Sequence, residues 1–539
     1  PMIEKLQQES LLGEMLANRA LATPGHTAIV FGQERISYAE LDRRVDALAC
    51  ALLRRGITRT DRVAVLLPVR PEFLYVWLAA ARIGCAVLGL NYRYQAKEIT
   101  HMVNDTQASV LVCINAFADV DYAEFITSLR PALPSLKTFI FVGPIVFPGA
   151  LDFDTLLAEE PEPKFLEKAG RTVRSEDDNF IIYTSGTTGR PKGAVLTQKS
   201  ILAMMRPWAR NTGLRQDDYL FCILPLNHVG GGTILALTTL GAGATLVLHD
   251  RFHPDDVLKI FRENQITVFG GVPTVYAILC SLPDATPELF ASVRICGFGG
   301  AAASPVLIRQ MRRCFSQAAI MACYGATEVS GFCTYTSPDD PFDKSLSTVG
   351  RTPAGIEVKI VDHASRVALS QGEIGEIAVR GDLIFDRYLN MPEETAQVID
   401  GQGWYYTGDM GSFDGEGYLT IRGRYKEMYI SGGYNVYPLE VEDVLSAHPA
   451  VAMTAVIGVP HPVKGEVGLA FVMPQFGAQP TPEELVEHCK TLLADYKVPY
   501  RIVIEPLLPM TGLGKLDKLK LREQYGHVVV AISEGKKEA

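Results

Sequence analysis

Residues 182–193 read Ile-Tyr-Thr-Ser-Gly-Thr-Thr-Gly-Arg-Pro-Lys-Gly, four aliphatic hydroxyls, three glycines and two cations within twelve positions. Such a string is poorly suited to a core. Glycines let the backbone approach a ligand closely, hydroxyls and free N–H groups donate to anionic oxygens, and Arg190 with Lys192 supplies positive charge. Together they make a cradle for phosphate, with a nucleoside triphosphate as the expected guest. The Walker pattern G-x-x-x-x-G-K-[ST] does not fit, because Pro191 stands where its second glycine belongs and Gly193 follows the lysine.

Four further segments carry chemistry in their residue types. Tyr324-Gly325-Ala326-Thr327-Glu328 joins an aromatic ring to a hydroxyl and a carboxylate, and Tyr406-Thr407-Gly408-Asp409 ends on a second carboxylate. Residues 423–438 begin Gly-Arg-Tyr-Lys and continue through Gly432-Gly433, while Pro509-Met-Thr-Gly-Leu-Gly-Lys515 ends on a glycine-flanked lysine. Taken singly, each could be an ordinary turn or surface loop. In this order, and with the first string, they closely resemble the signatures of adenylate-forming enzymes, the superfamily of acyl-CoA synthetases, carrier-loading adenylation domains and firefly luciferase. The resemblance covers nearly the whole chain from about Thr27.

That resemblance implies ATP, Mg2+ and coenzyme A as reactants and cofactor. Thr184, Ser185, Gly186, Thr187, Thr188, Gly189 and Lys192 would hold the phosphates, and Gly300, Ala301 and Tyr324 to Thr327 would border the nucleotide, with the Tyr324 ring on adenine. Thr184 and Glu328 would address the metal, Asp409 and Arg424 the ribose. The carboxylic acid would lie near His228, Gly231, Gly299 and Gly300, with a thiol entering past Gly432 and Gly433. Lys426 would be a hinge and Lys515 the catalytic cation between carboxylate and α-phosphate, although Leu513 is bulkier than the residue usual there. The implied reaction makes an acyl-adenylate and pyrophosphate, then an acyl-CoA and AMP. The alternative acceptor is the phosphopantetheine arm of a carrier protein.

Amino-acid-activating relatives hold the substrate amine with an acidic residue, but residues 221–235 contain neither Asp nor Glu. An aliphatic or aromatic acid is therefore expected, and Gly230, Gly231 and Gly232 hint at room for it. A net charge of -10 argues against nucleic acid as the main partner, so the phosphate site must be locally basic. The ten cysteines lie mostly in apolar runs without a C-x-x-C pair, the pattern of reduced thiols. A cytoplasmic protein without signal peptide, disulfides, structural zinc or transmembrane segment is expected, and a second copy of the chain is a further candidate partner.

The elements that position these residues alternate. Ser37 and Glu40 form a capping box before apolar positions 41, 45, 48 and 52; strands at 62–67 and 86–90 flank a helix at 71–83. Strands at about 266–269, 293–298 and 319–323 each run into a glycine-rich loop, and in a parallel sheet such loops converge beyond the carboxyl ends. Residues 356–422 read as short antiparallel strands. The expected architecture is α/β: a large domain of parallel α/β sheets with a small antiparallel subdomain (1–424), a hinge (425–427) and a small mobile α+β domain (428–539).

Overall fold

The structure is a computed structural model and describes residues 2–184, 191–475, 477–511 and 516–526. Two eight-stranded sheets build most of it. The first runs in space Gly331–Tyr335, Ala319–Ala326, Ile295–Phe298, Val268–Gly271, Tyr219–Cys222, Thr245–Leu248, Thr27–Phe31, Glu34–Ser37, parallel except at its two edges. The second runs Arg387–Tyr388, Lys192–Thr197, Asp178–Thr184, Ala86–Leu90, Arg62–Leu66, Val110–Ile114, Thr138–Val142, Leu151–Asp152, with antiparallel pairing only at the 387–388 and 192–197 edge. Parallel strands need helical crossovers, which cover both faces. Accordingly Ala86–Leu90, Val110–Ile114 and Thr245–Leu248 are buried along their whole length.

Local chemistry explains the helices. Ser37 accepts the Glu40 N–H to start Tyr38–Arg54, and Leu41, Val45, Leu48 and Leu52, spaced by three or four residues, all face the core. Pro71 opens Pro71–Ile83 at its first turn and Gly84, at φ +78°, closes it. Thr197 and Ser200 cap Gln198–Thr212 reciprocally. No described helix is long and apolar enough to cross a membrane, and all ten cysteines are free.

Two elements differ from the sequence expectation. Tyr324 to Ala326 belong to the strand Ala319–Ala326, which extends past Cys323 because the chain turns back at Ser330, φ +55°, and pairs with Gly331–Tyr335. The pairing is so close that a Cβ at Gly325 would collide with the Gly331 carbonyl. Secondly, Gly230–Leu237 is a π-helix, a wide turn that no apolar periodicity announces. Its glycines serve packing: a Cβ at Gly231 would strike the Leu224 and Pro225 carbonyls, and one at Gly232 would meet Leu226 O at 2.6 Å and the Trp77 ring at 2.9 Å. Gly231 and Gly232 make room for backbone and indole, which corrects the expectation of open space at these two positions; at Gly230 a Cβ would meet nothing closer than 3.4 Å.

Residues 357–424 form the expected antiparallel sheet, in order Glu357–Val361, Gly375–Arg380, Tyr405–Phe413, Leu419–Arg424. Beyond it, the long hairpin Val451–His461 and Gly465–Pro474 is extended along the free edge of its second strand, by Arg501–Ile504 in parallel at residues 469–472 and by Tyr429–Ser431, which carries Tyr434–Val436, at Gly465. Helices Pro438–Ser446, Pro482–Leu492 and Lys518–Tyr525 accompany these strands. Buried Tyr429, Val441, Leu445, Val456, Leu485 and Ile502 make one core here, and Ile457, Val459, Phe471 and Leu521 another. The C-terminal segment thus encloses its own apolar interior.

Candidate active site

Three sheets meet where the sequence motifs fall. The phosphate-loop string is the connection of an antiparallel hairpin, with Thr184 and Lys192 as its last facing pair and the Thr184 hydroxyl 3.5 Å from the Lys192 carbonyl. Ser185, Gly186, Thr187, Thr188, Gly189 and Arg190 lie outside the described residues. The segment 385–389 then stitches this hairpin to the other large sheet: Leu389 N–H donates to Gly193 O (2.7 Å), Asp386 N–H to Val195 O (2.9 Å) and Phe385 N–H to Glu328 O (2.8 Å). Tyr388 completes the seam, its hydroxyl donating to Glu328 Oε1 at 2.8 Å while Lys192 Nζ sits 5.1 Å from its ring centroid.

Glu328 is consequently a buried carboxylate held by one hydroxyl, and burial raises its pKa. Thr327, also buried, offers its carbonyl to Ser330 N–H, and the Ser330 carbonyl accepts the Thr233 hydroxyl at 2.7 Å. The π-helix is thereby tied to the Glu328 turn. At its start, His228 Nδ1 accepts the Gly230 N–H at 3.1 Å. Gly299 closes the strand Ile295–Phe298 against Cys323 O, where a Cβ would come within 2.8 Å; Gly300, at φ +80°, and Ala301 follow it into solvent.

The antiparallel sheet brings a second carboxylate. Register pairs Asp409 with Arg424, and Arg424 Nε donates to Asp409 Oδ1 at 2.9 Å. The Tyr324 hydroxyl donates to the other oxygen at 2.8 Å, so one buried carboxylate fixes an aromatic ring and a guanidinium together. Arg424 is held more firmly protonated by Asp409. Lys426 lies in the same electrostatic neighbourhood: burial lowers its pKa, as do Lys192 and Arg424, while Glu328 and Asp409 raise it. The charge of the expected hinge residue is thus felt together with those of Lys192, Arg424, Glu328 and Asp409.

Tyr324, Glu328, Lys192, Asp409, Arg424 and Lys426 are thus brought together. Gly432 and Gly433 are exposed, with φ +59° and +88°, in the two-residue turn between Ser431 and Tyr434, where such positive angles favour glycine. Lys515 lies outside the described residues. Sequence reasoning missed Tyr388, because Asp386-Arg-Tyr-Leu-Asn390 carries no spacing that marks a site; only its pairing with the Lys192 strand reveals it.

Among the described residues, no group of three His, Cys, Asp or Glu side chains could hold a metal ion. One buried hard carboxylate, joined through Tyr388 to the neighbourhood of Lys192, nevertheless suits Mg2+, which takes one or two carboxylates and completes its shell with substrate phosphates and water.

Comparison with known proteins agrees with this geometry. The sequence matches the AMP-binding enzyme family over residues 16–389 and the AMP-binding enzyme C-terminal domain over residues 440–515. A feruloyl-CoA synthase of Amycolatopsis sp is 34% identical over 96% of this chain and 99% of its own length. A 3-[(3aS,4S,7aS)-7a-methyl-1,5-dioxo-octahydro-1H-inden-4-yl]propanoyl:CoA ligase of Mycobacterium tuberculosis is 34% identical over 93% of this chain and 96% of its own. The crystal structure of ATP-bound MatB from Rhodopseudomonas palustris superimposes with a TM-score of 0.86 at 30% identity, covering 96% of this chain and 99% of that one. The order of motifs, the fold and these matches have one reading: the chain belongs to the AMP-binding enzyme family.

Proposed function

We propose that the protein is an AMP-forming acid:CoA ligase, which activates a carboxylic acid with MgATP as an acyl-adenylate and passes the acyl group to the thiol of coenzyme A. The observation that carries this reading is the Tyr324–Asp409–Arg424 cluster beside buried Glu328 and Lys192. It offers an anchored ring for a base, a carboxylate for vicinal hydroxyls, and cations with a hard acidic ligand for polyphosphate. The substrate carboxylate itself attacks the α-phosphate, so no protein nucleophile is needed. The difficulty is electrostatic, two anions brought together, and Lys192, Arg424, Lys426 and Lys515 offset it in a site of reduced dielectric. Glu328, with Thr184, would hold Mg2+, whose charge would neutralise the departing phosphates.

The absence of Asp and Glu from residues 221–235 favours an acid without an amino-acid amine, and the relatives' names, which include ring-bearing and long-chain fatty acids, support an aliphatic or aromatic one. Residues 425–427 serve as the hinge between 1–424 and 428–539, and ten free thiols suit the reducing cytoplasm. A pyrophosphate-release screen over aryl and aliphatic acids, with hydroxylamine as trap and then with coenzyme A or a holo carrier protein, tests the assignment. The expected products are pyrophosphate, AMP and an acyl-CoA; ADP and phosphate, or acylation of the carrier alone, overturn it.

Glu328→Gln keeps shape and a hydrogen-bond acceptor for Tyr388 but loses the anionic oxygen. The expected result is a higher magnesium requirement at every pH with the melting temperature little changed. In the wild type the same requirement climbs as pH falls, because a carboxyl whose pKa burial has raised takes up its proton at higher pH than an ordinary glutamate. In the variant that limb flattens. A magnesium titration with the same dependence on pH in both proteins removes Glu328 from the metal site.

A further inference from the structure

The residues on either side of Lys426 are attached to different bodies. Tyr425 is held by a closed circuit on the large domain. Its ring stacks on His363, with centroids 4.2 Å apart and planes at 15°, and its N–H donates to Gly408 O at 3.1 Å. Gly408 N–H donates to Glu376 Oε1 at 2.9 Å, and Glu376 Oε2 shares a hydrogen bond of 2.7 Å with His363 Nδ1. The circuit is built by register, since Glu376 pairs with Val361 and so faces the turn that carries His363. Glu376 is 5% exposed while His363 is 54% exposed, so an interior carboxylate holds a surface imidazole flat against the tyrosine.

Glu427 is held elsewhere. Lys518 Nζ bridges Glu427 Oε2 and Glu442 Oε1, both at 2.7 Å, in a pocket where none of the three side chains is more than a quarter exposed. Lys518 and Glu442 belong to helices Lys518–Tyr525 and Pro438–Ser446 of the C-terminal segment. Between the two attachments, the backbone hydrogen bonds among the described residues that cross Lys426 are Glu427 N–H (3.1 Å) and Met428 N–H (3.2 Å), both donating to Arg424 O.

We infer that His363 and Glu376 are positioning residues which clamp Tyr425 to the large domain and so, opposite the Lys518 anchor on Glu427, confine rotation of the small domain to the backbone of Lys426. This rests on the proposed hinge at residues 425–427. A hinge must absorb its change of angle at a few residues. Here the clamp decides which: the two bonds to Arg424 O break when the domain turns, and the Tyr425 to Gly408 bond does not. Because Gly408 precedes Asp409, the clamp also keeps the ribose-facing carboxylate still while the neighbouring chain moves.

Amide hydrogen exchange on the full-length free protein, resolved to single residues across 422–430, tests this without a known acid. The expected wild-type pattern is a protected Tyr425 amide next to fast-exchanging Glu427 and Met428 amides. His363→Ala should speed exchange at Tyr425 by roughly tenfold, the size of effect expected from losing an aromatic stack and a charge-assisted hydrogen bond together. Exchange at 427 and 428, and in the buried strand Val110–Ile114, should not change. His363→Phe, which keeps a ring for stacking, should recover part of the protection. Equal slow exchange at 425, 427 and 428 in the wild type means that no rotation occurs at Lys426 and the hinge reading itself fails. Fast exchange at 427 and 428 with Tyr425 indifferent to His363→Ala leaves the hinge standing and overturns the clamp, as does a general rise in exchange throughout the large domain.

Discussion

Lys515→Ala lowers pyrophosphate-linked adenylate formation by roughly a hundredfold or more, as expected for loss of one positioned charge-stabilising donor, and leaves thioester formation from a presynthesised acyl-adenylate close to wild type. The first half-reaction presses a carboxylate against a phosphate, and the second begins from a neutral mixed anhydride carbon, so only the first needs the extra cation. Residue 515 falls in the sequence span proposed as the small domain, 428–539. Its loop is entered and left through the bridge Met510↔Leu516 and the bond from Asp517 N–H to Pro509 O (2.8 Å), and three residues later Lys518 is anchored to Glu427 beside the hinge. On the proposed hinge, the base of this loop would follow the small domain, whereas Lys192 stays on a strand of the large sheet. Equal loss of both half-reactions, or of neither, removes Lys515 from the role of moving cation. The measurement is pyrophosphate exchange set against thioester release from the isolated adenylate.

What the sequence made legible follows from how local each signal is. The boundaries Pro71–Ile83 and Ala86–Leu90 were readable because a proline, a glycine and unbroken apolar runs punctuate them. Asp409 and Arg424 could be named from their motifs, but not their pairing: that depends on the register of two antiparallel strands, including the irregularity between Met410 and Gly411. Tyr388 and the circuit through His363, Glu376 and Tyr425 were invisible, since each joins residues brought close only by the packing of separate strands. Gly231 and Gly232 were visible as glycine and misread as space, because sequence shows a missing side chain without showing the carbonyls that fill its place. The run of residues 324–326 was likewise taken for a loop, although its glycine permits a strand to approach its neighbour more closely than any side chain allows.

Asp409→Ala should weaken binding of ATP and of AMP alike, by about 3 kcal/mol or roughly a hundredfold in Kd, the scale for losing a pair of hydrogen bonds to a charged acceptor. The carboxylate is buried and each oxygen already has one protein partner, Tyr324 Oη on Oδ2 and Arg424 Nε on Oδ1, which leaves acceptor capacity on both for two vicinal hydroxyls. Its removal acts twice: the ligand loses its acceptor, and the Tyr324 ring loses the bond that sets its plane. Arg424 is 64% exposed and can rehydrate, so the fold should suffer less than burial of an unpaired charge would cause. Asp409→Asn keeps an acceptor for the tyrosine without the charge opposite Arg424, and its affinities should fall between those of wild type and alanine. Calorimetric titration with each nucleotide separates this effect from that of Glu328→Gln, which should weaken MgATP while sparing AMP, because Glu328 would act through a metal that accompanies the polyphosphate and AMP has none. An Asp409→Ala protein that binds AMP as tightly as wild type would mean that the carboxylate braces Tyr324 and Arg424 for some other purpose and does not face the nucleoside.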